Sequence, residues 1–239
     1  MMDALCIIGV RPDPIWCDLL NSFQHYKIYI LIDDEKFAIS RLIGKYKNNV
    51  SFIIIPSLVV GFHHYKDMNF TVGKNVTGWE KAMYYFYMIQ KRHRYIWFLE
   101  EDVFFHHEET LVQIDREFPD ADLLSPPFQR YDIINLQEWH WDRINIGFNP
   151  PYYHGMMCAV RFSKAMLECI YQYAQSFKTL FFLEALFPTL AMKNGLVCQN
   201  PPALNTIFYK KDFCKEEVRE KNLYHPVKNL QDHILFRNQ

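Results

Sequence analysis

A short apolar stretch with an acidic centre, residues 95–105, constrains the fold of this chain more than any other feature. It reads Tyr-Ile-Trp-Phe-Leu-Glu-Glu-Asp-Val-Phe-Phe. A run rich in β-branched and aromatic residues, without polar alternation, is typical of a buried strand in a parallel sheet that is covered on both faces. Burying carboxylates in such a strand costs free energy unless another group compensates their charge. The stretch therefore predicts a core strand whose acidic end has a partner or a task.

The spacing of the acidic residues predicts a cation site. Side chains two residues apart on an extended chain share a face, so Glu100 and Asp102 should point together and Glu101 away from them. Two converging carboxylates at the carboxyl end of a parallel strand suit Mg²⁺ or Mn²⁺. Open α/β sheets also bind their ligands at that end. The alternative interpretation is a solvated, inert acidic turn between a strand and a helix.

The order of predicted elements indicates an α/β fold. Strand patterns at residues 4–10, 27–32 and 50–56 alternate with helical patterns at 15–25 and 35–47, which predicts a parallel, doubly wound start. The later elements are predicted as helices at 78–94, 107–118, 163–177 and 180–194, and as strands at 122–125 and 155–162. The sequence has no clear period at 57–77, at 128–153 or in the polar tail from 210 onward.

Composition indicates one soluble domain. Half of the 239 residues are hydrophobic, enough for a sizeable core, and the formal net charge of −1 implies no strong attraction to nucleic acid or anionic membranes. The six cysteines include no Cys-x-x-Cys pair, so a zinc ribbon is not expected and the thiols should be reduced. The N-terminus is too short and too acidic for a signal peptide, and no apolar run is long enough to span a membrane. We therefore expect a cytoplasmic protein.

Five features together resemble the GT-A-fold glycosyltransferases, nucleotide-sugar enzymes with an Asp-x-Asp metal motif. They are the βαβαβ start, the Glu-Glu-Asp that closes a mid-chain strand, the Gly-led strand and helix at 155–177, Leu-Glu-Ala-Leu at 183–186 and His-Pro-Val-Lys at 225–228. The resemblance implies a GT-A-like fold with a Rossmann-type, mostly parallel central sheet and helices on both faces. It implies a single domain over 1–239, with 1–105 binding the nucleotide sugar and 106–239 the acceptor.

The resemblance also implies a metal centre. Glu100, Asp102 and His225 would hold Mn²⁺ or Mg²⁺ against the donor diphosphate, where the cation acts as a Lewis acid. Glu100 stands where the family more often has Asp, which changes the reach to the metal, and Glu101 could share the role. Lys228 would grip the diphosphate. A surface turn set by the proline after His225 is the alternative for this last motif.

Residues after the first two strands would border the nucleotide. By the same resemblance, Arg11 and either Asp33 or Asp34 would lie beside the base and ribose. The two aspartates could equally cap the following helix. Lys81 and Lys74 are weaker phosphate candidates, since lysines on exposed surfaces are usually only solvated.

The second half of the chain holds the candidates for acceptor chemistry. Glu184 matches the position from which inverting members take their catalytic base, and its phenylalanine and leucine neighbours would desolvate it and make it a better base. The alternative is a first-turn acid favoured by the helix dipole. Asp142 is the reserve base. Trp139 and Trp141, beside it, would stack on a sugar or cover the edge of the sheet.

The resemblance therefore implies a metal-dependent, inverting glycosyltransferase that moves a sugar from a UDP- or GDP-sugar to a glycan or glycoprotein acceptor. No nucleic acid partner and no membrane span are expected. A sugar nucleotidyltransferase is one alternative, but it needs a Gly-rich phosphate loop after the first strand, where Pro12 and Pro14 lack amide donors. A non-catalytic carbohydrate- or nucleotide-binding module is another, and core ion pairs could also account for the buried acids.

Overall fold

The computed structural model describes residues 2–46, 49–67, 75–135 and 138–238. The strands in these ranges are β1 (Asp3–Gly9), β2 (Tyr26–Ile32), β3 (Val50–Ile53), β4 (Tyr95–Glu100), β5 (Leu123–Leu124), β6 (Gln129–Tyr131), β7 (Tyr152–His154), β8 (Ala159–Ser163) and β9 (Cys198–Gln199). The α-helices are α1 (Pro14–Asn21), α2 (Ser40–Tyr46), α3 (Ser57–Phe62), α4 (Gly78–Tyr84), α5 (Glu108–Glu117), α6 (Lys164–Phe177), α7 (Leu183–Lys193) and α8 (Leu230–Arg237). A π-helical turn, Tyr85–Ile89, extends α4.

A seven-stranded sheet with the order β3-β2-β1-β4-β8-β5-β9 forms the centre of the molecule. The first four strands in this order run parallel to one another, and β5 runs parallel to β9. Only β8 runs against its neighbours β4 and β5, while β6 and β7 pair in a separate antiparallel ribbon. The predicted α/β class with a mostly parallel central sheet is confirmed.

Both faces of the sheet are covered by helices, because alternate side chains of each central strand enter different cores. On β1, Ala4, Cys6 and Ile8 belong to the core beneath α4, α6 and α7. Leu5 and Ile7 point the other way, into the core beneath α1, α2 and α5. This two-sided burial explains why the strands read as continuous apolar runs rather than as alternating ones.

Local contacts shift several predicted boundaries. Helix α2 begins five residues later than the predicted residue 35, because the Glu35 carboxylate accepts hydrogen bonds from the Ser57 amide at 2.8 Å and from Lys81 Nζ at 3.1 Å. The stretch 57–77, predicted to be irregular, contains α3. Ser163 caps α6 by accepting from a backbone amide, as is typical of serine before a helix.

The polar tail is docked onto the acidic strand rather than left as a surface segment. Phe104 and Tyr224 exchange backbone hydrogen bonds of 2.8 and 2.9 Å. Helix α8 packs Phe236 against the Phe104 ring, and Arg237 donates to the Phe105 carbonyl at 3.0 Å. The tail therefore carries its own small core to the end of β4, which places His225 beside the acids.

The six cysteines are all free, as expected for reduced thiols.

The longest helix in the described ranges, α6, has 14 residues. None of the described helices has the length and apolar character that crossing a bilayer requires.

Candidate metal and nucleotide site

A cavity of about 600 Å³ lies where the parallel strands β1 and β4 end. Its walls come from the turn after β1, α1, the end of β2, the start of α4, the acidic end of β4 and the tail. The lining residues are 8–13, Trp16, Asp33, 77–79, 100–102, Lys228 and Leu230. Side chains converge here because neighbouring parallel strands end at the same edge of the sheet.

Glu100 and Asp102 converge on His225. Strand β4 ends at Glu100, and a turn closed by the Val103 amide on the Glu100 carbonyl at 3.0 Å follows it. His225 Nε2 lies 3.3 Å from Asp102 Oδ1 and 3.8 Å from Glu100 Oε2. The predicted convergence is therefore present, although a turn rather than an extended strand produces it.

Backbone contacts fix the imidazole in one tautomer. His225 Nδ1 lies 2.6 Å from the Phe208 carbonyl oxygen, and since a carbonyl can only accept, Nδ1 carries the proton. The Val227 amide donates to the Asp102 carbonyl at 2.8 Å, which ties the tail to the acidic turn. Nε2 is thus directed at the carboxylates, the arrangement in which a histidine binds a metal.

Glu101 lies on the other side of the turn, as predicted. Its carboxylate accepts from the Val10 amide at 3.3 Å, and its carbonyl accepts from Trp16 Nε1 at 2.8 Å. It therefore lines the cavity next to the turn after β1. A share for Glu101 in cation binding stays a prediction.

The acids and the histidine shift one another's protonation. Burial raises the pKa of Glu100, a hydrogen bond from Trp79 Nε1 at 2.7 Å lowers it, and the charge of Asp102 raises it further, with a net rise. Burial likewise raises the pKa of Glu101. Burial lowers the pKa of His225, but the hydrogen bond and charge of Asp102 more than offset this, so its net pKa is raised. The cluster thus attracts positive charge to this end of the sheet.

Two of the candidate nucleotide-binding residues, Arg11 after β1 and Asp34 after β2, form an ion pair. Arg11 bonds Asp34 at 2.8 Å on the exposed rim. Asp34 also accepts from the Lys36 amide at 3.0 Å, so it closes a turn and does not cap α2. Asp33 reaches the cavity wall together with Arg11. A role for either residue in nucleotide binding stays a prediction.

The structure does not support Lys81 as a phosphate-binding residue. Only 1% of its side chain is exposed, and Nζ binds Asp33 Oδ1 at 2.7 Å and Glu35 Oε1 at 3.1 Å. This buried, doubly paired ammonium joins α4 to the chain that follows β2 and has no free face for a phosphate. Lys228 does line the cavity, as the prediction requires. Lys74 lies outside the described residues.

Glu184 is buried in the first turn of α7, with 9% of the residue exposed. His154 Nε2 lies 3.2 Å from its Oε2, and the Trp139 ring contacts that imidazole at a tilt of 38°, with centroids 3.7 Å apart. Burial, followed by the charges of Glu100, Asp102 and Glu184, raises the pKa of the Cys158 thiol. Glu184 is therefore close enough to the acidic cluster to act electrostatically on the same thiol.

Asp142 does not satisfy the prediction of a reserve base. Its side chain is 53% exposed and lies 3.8 Å from Arg143. It therefore lacks the desolvation that would make it a stronger base. Nearby Trp141 is buried in the main core, which favours the covering role for this tryptophan, whereas Trp139 stays partly exposed.

Sequence reasoning missed Cys158, His154 and Trp79. Cys158 precedes β8, whose antiparallel register with β4 puts it opposite Glu100. The glycine-led strand pattern marked this segment, but only the pairing partner shows which of its residues meets the acids. The other two residues reach the carboxylates through tertiary packing, for which a single sequence carries no signal.

Similarity to known proteins was found in structure but not in sequence. No protein-family model matches the chain, and no curated protein matches its sequence. A solved structure of 4-diphosphocytidyl-2C-methyl-D-erythritol synthase from Anaerococcus prevotii DSM 20548 matches with a TM-score of 0.50 and 11% identity, over 99% of this chain and 95% of that one. A galactosyltransferase, LgtC, in complex with donor and acceptor sugar analogs, matches with a TM-score of 0.49 and 12% identity, over 83% and 73%. The first likeness shows that this chain has the GT-A-like α/β fold.

Proposed function

We propose that this chain is a metal-dependent, inverting glycosyltransferase that moves a sugar from a UDP- or GDP-sugar to a hydroxyl of a glycan or glycoprotein acceptor. The observation that carries the proposal is the meeting of Glu100, Asp102 and His225 beside a cavity of about 600 Å³. Three groups from distant parts of the chain meet at the edge of the sheet where α/β folds bind ligands. Simple core ion pairing would not require a cavity there.

The donor set fits a divalent cation. Carboxylates suit Mg²⁺ and Mn²⁺, and the imidazole adds a ligand that suits transition metals. The Phe208 carbonyl supplies the outer contact that orients His225. Bound between Glu100, Asp102 and His225, the cation would supply Lewis-acid stabilisation of charge on the departing diphosphate.

The positive residues on the cavity wall would bind the donor. Lys228 follows the segment that holds His225, so the same docked tail would present both groups to the diphosphate. Arg11 and Asp33 border the other end of the cavity, beside β1 and β2, where they would contact the base or ribose. The cavity is large enough for one nucleotide sugar, since ligand pockets typically measure about 300–1,000 Å³.

Glu184 would take the acceptor proton. In this step the acceptor oxygen attacks the anomeric carbon, Glu184 removes the hydroxyl proton, and the bond to the diphosphate breaks with its electron pair leaving on oxygen. His154 holds one carboxylate oxygen in place, and the partly exposed Trp139 ring next to it could stack on an acceptor sugar.

Nucleotidyl transfer is the second candidate. The neighbour named as a 4-diphosphocytidyl-2C-methyl-D-erythritol synthase has the same fold, and here the turn after β1 lines the cavity as such chemistry requires. That turn holds Pro12 and Pro14, which offer no amide hydrogen to a phosphate. The arrangement therefore favours glycosyl transfer.

The test is calorimetric titration of the purified protein with UDP, GDP, CDP and dTDP, each with and without Mn²⁺. We expect one nucleotide to bind only when Mn²⁺ is present. Asp102→Asn should abolish this binding without unfolding the protein. Asp120→Asn, a control on an 85% exposed aspartate paired with Arg94, should bind as the wild type does.

Two results would contradict the proposal. Failure of the folded wild type to bind any nucleoside diphosphate would favour a non-catalytic or structural role for the acids. Release of pyrophosphate from a nucleoside triphosphate and a sugar phosphate, without transfer from a nucleoside-diphosphate sugar, would favour the nucleotidyltransferase.

A further inference from the structure

Cys158 lies inside the candidate metal centre. One ligand atom each from Glu100, Cys158 and His225 lie within 4.8 Å of one another. Cys158 is only 3% exposed, and its thiol lies in the negative field of Glu100, Asp102 and Glu184. A buried thiol next to two carboxylates and a tautomer-fixed imidazole differs from Cys6, which is buried among apolar residues of the core.

The backbone fixes this position. Leu99 and Ala159 are partners in the β4–β8 register, so the next pair along the two chains is Glu100 and Cys158. The Glu100 amide donates to the Cys158 carbonyl at 2.9 Å and holds the pair together. Cys158 thus stands directly before β8, and this backbone hydrogen bond to β4 holds it beside Glu100.

We propose that Cys158 is a ligand of the metal centre and that it makes the site select thiophilic divalent cations, such as Co²⁺ and Zn²⁺, over Mg²⁺. Thiolate favours the later transition metals, whereas Mg²⁺ demands oxygen ligands. On binding, the sulfur–hydrogen bond breaks, its proton passes to solvent and the sulfur lone pair forms the bond to the cation, with no change of oxidation state. The inference rests on the cation site of the proposed function and narrows the class of cation that the site takes.

The test is titration of the metal-free protein with Co²⁺, followed by near-ultraviolet and visible absorption. A sulfur-to-cobalt charge-transfer band should grow in the wild type. It should be absent in Cys158→Ser and Cys158→Ala, which still bind Co²⁺ through the remaining ligands but with an affinity lower by at least the roughly 10–100-fold that loss of an outer-shell partner costs. Cys169→Ser, a control at a partly buried cysteine of α6, should behave as the wild type does.

Competition with Mg²⁺ measures the selectivity. In the wild type a large excess of Mg²⁺ should leave the charge-transfer band in place, and in Cys158→Ser the preference for Co²⁺ over Mg²⁺ should fall by about the same 10–100-fold. Circular dichroism of each variant confirms that it is folded. The alanine variant keeps the test valid if the serine variant does not fold.

The outcomes separate this inference from the proposed function. Binding of Co²⁺ by the wild type without a charge-transfer band overturns the role of Cys158 and leaves the site of Glu100, Asp102 and His225 intact. Failure of the folded wild type to bind Co²⁺, while Mn²⁺ still supports nucleotide binding, overturns the inference alone, and failure to bind either cation overturns the cation requirement of the proposed function as well.

Discussion

Glu80, a buried carboxylate in the first turn of α4, links the stability of the fold to pH. It is 5% exposed, and its Oε2 accepts from the amide and hydroxyl of Thr77 at 2.7 and 2.6 Å. Burial, only partly offset by these bonds, raises its pKa from the usual 4.5 to about 7. The native protein therefore holds this proton more tightly than the unfolded chain does.

The sign of the pH dependence follows from that difference. With the native pKa above the unfolded one, the stabilising contribution is complete below pH 4.5 and disappears as the pH rises through about 7. At about 1.4 kcal/mol per pKa unit, this amounts to about 3 kcal/mol. Urea unfolding should show the wild type losing about this much free energy, relative to Glu80→Gln, between pH 4.5 and 8. If the free energies of unfolding of the wild type and Glu80→Gln changed with pH in parallel, the raised pKa of Glu80 would be contradicted. Glu117→Gln, at an exposed site, is the control and should follow the wild type.

Glu184 can be tested as a base separately from its role in binding. Glu184→Gln keeps the size of the side chain but cannot accept a proton, so it should retain donor binding while transfer falls by about 10²–10⁴-fold. His154→Ala should lower kcat more than it changes donor affinity, because it frees the carboxylate that it positions. Single-turnover rates and calorimetry measure the two quantities. Equal loss of donor binding and transfer in Glu184→Gln would reduce it to a binding residue.

At this scale the sequence predicted side chains that depend on spacing along one strand. Glu100 and Asp102 were predicted to converge from the alternation of an extended chain, and they do converge on His225, although a turn after β4 brings them together. Lys81 was misjudged because a lysine on a helix looks solvated until its two acidic partners from another βα unit are in place. Cys158 and His154 depend on strand pairing and helix packing, so no local pattern marks them.

Among the secondary-structure elements, the ribbon β6–β7 is positioned by a close approach at Gly155. A Cβ on this residue would lie 2.7 Å from the Pro127 carbonyl oxygen and 3.0 Å from Phe128 Cα, both of them backbone atoms. Its amide also donates to the Glu184 carbonyl at 3.1 Å. Space for the ribbon, and with it the position of the first turn of α7, therefore requires glycine.

Gly155→Ala should destabilise the fold by about 1–3 kcal/mol, the usual cost of overpacking a well-filled site. Gly44→Ala is the matched control, since a Cβ there meets nothing within 4 Å on the exposed helix α2. It should stabilise the protein by up to about 1 kcal/mol, because alanine favours helix. Denaturant unfolding measures both changes, and a Gly155→Ala variant as stable as the wild type would contradict the packing argument.

Elements were predictable where a periodic pattern met a clear stop signal. The central strands and α5, α6 and α7 lie close to their predicted places because apolar spacing and the Ser163 cap define them. The late start of α2 and the helix α3 were not predicted. The Glu35 carboxylate, before α2, accepts a hydrogen bond from the amide of Ser57, the first residue of α3. Such side-chain contacts between neighbouring connections override local propensity.

Over the whole molecule, the site depends on both ends of the chain. Residues at the ends of β1 and β4 line the cavity. His225 and Lys228 lie on the tail, which is attached to the chain after β4 by an antiparallel backbone bridge between Phe104 and Tyr224. Composition indicated a polar tail but not where it docks, because its core is a few residues packed on Phe104. A cation that binds His225 and the acids at once would fasten this tail to the sheet.

Cation binding should therefore stabilise the whole fold by mass action. At a free Mn²⁺ or Co²⁺ concentration one hundred times the dissociation constant, the wild type should gain about 2.7 kcal/mol in its free energy of unfolding. His225→Ala should lose most of this gain at the same concentration, because it removes the ligand that joins the tail to Glu100 and Asp102. Lys228→Ala, a change in the same tail, should keep it, since the lysine would contact phosphate and not the cation.

Thermal or urea unfolding with and without the cation measures these gains in each protein. Loss of the gain in His225→Ala but not in Lys228→Ala would separate cation binding from a general loosening of the tail, because both substitutions lie in the segment that α8 anchors. An equal gain in all three proteins would mean that the cation binds elsewhere, and His225 would then be a partner of Asp102 in a metal-free ion pair. The two outcomes differ by the full mass-action term, about 2.7 kcal/mol, which is large enough to measure reliably.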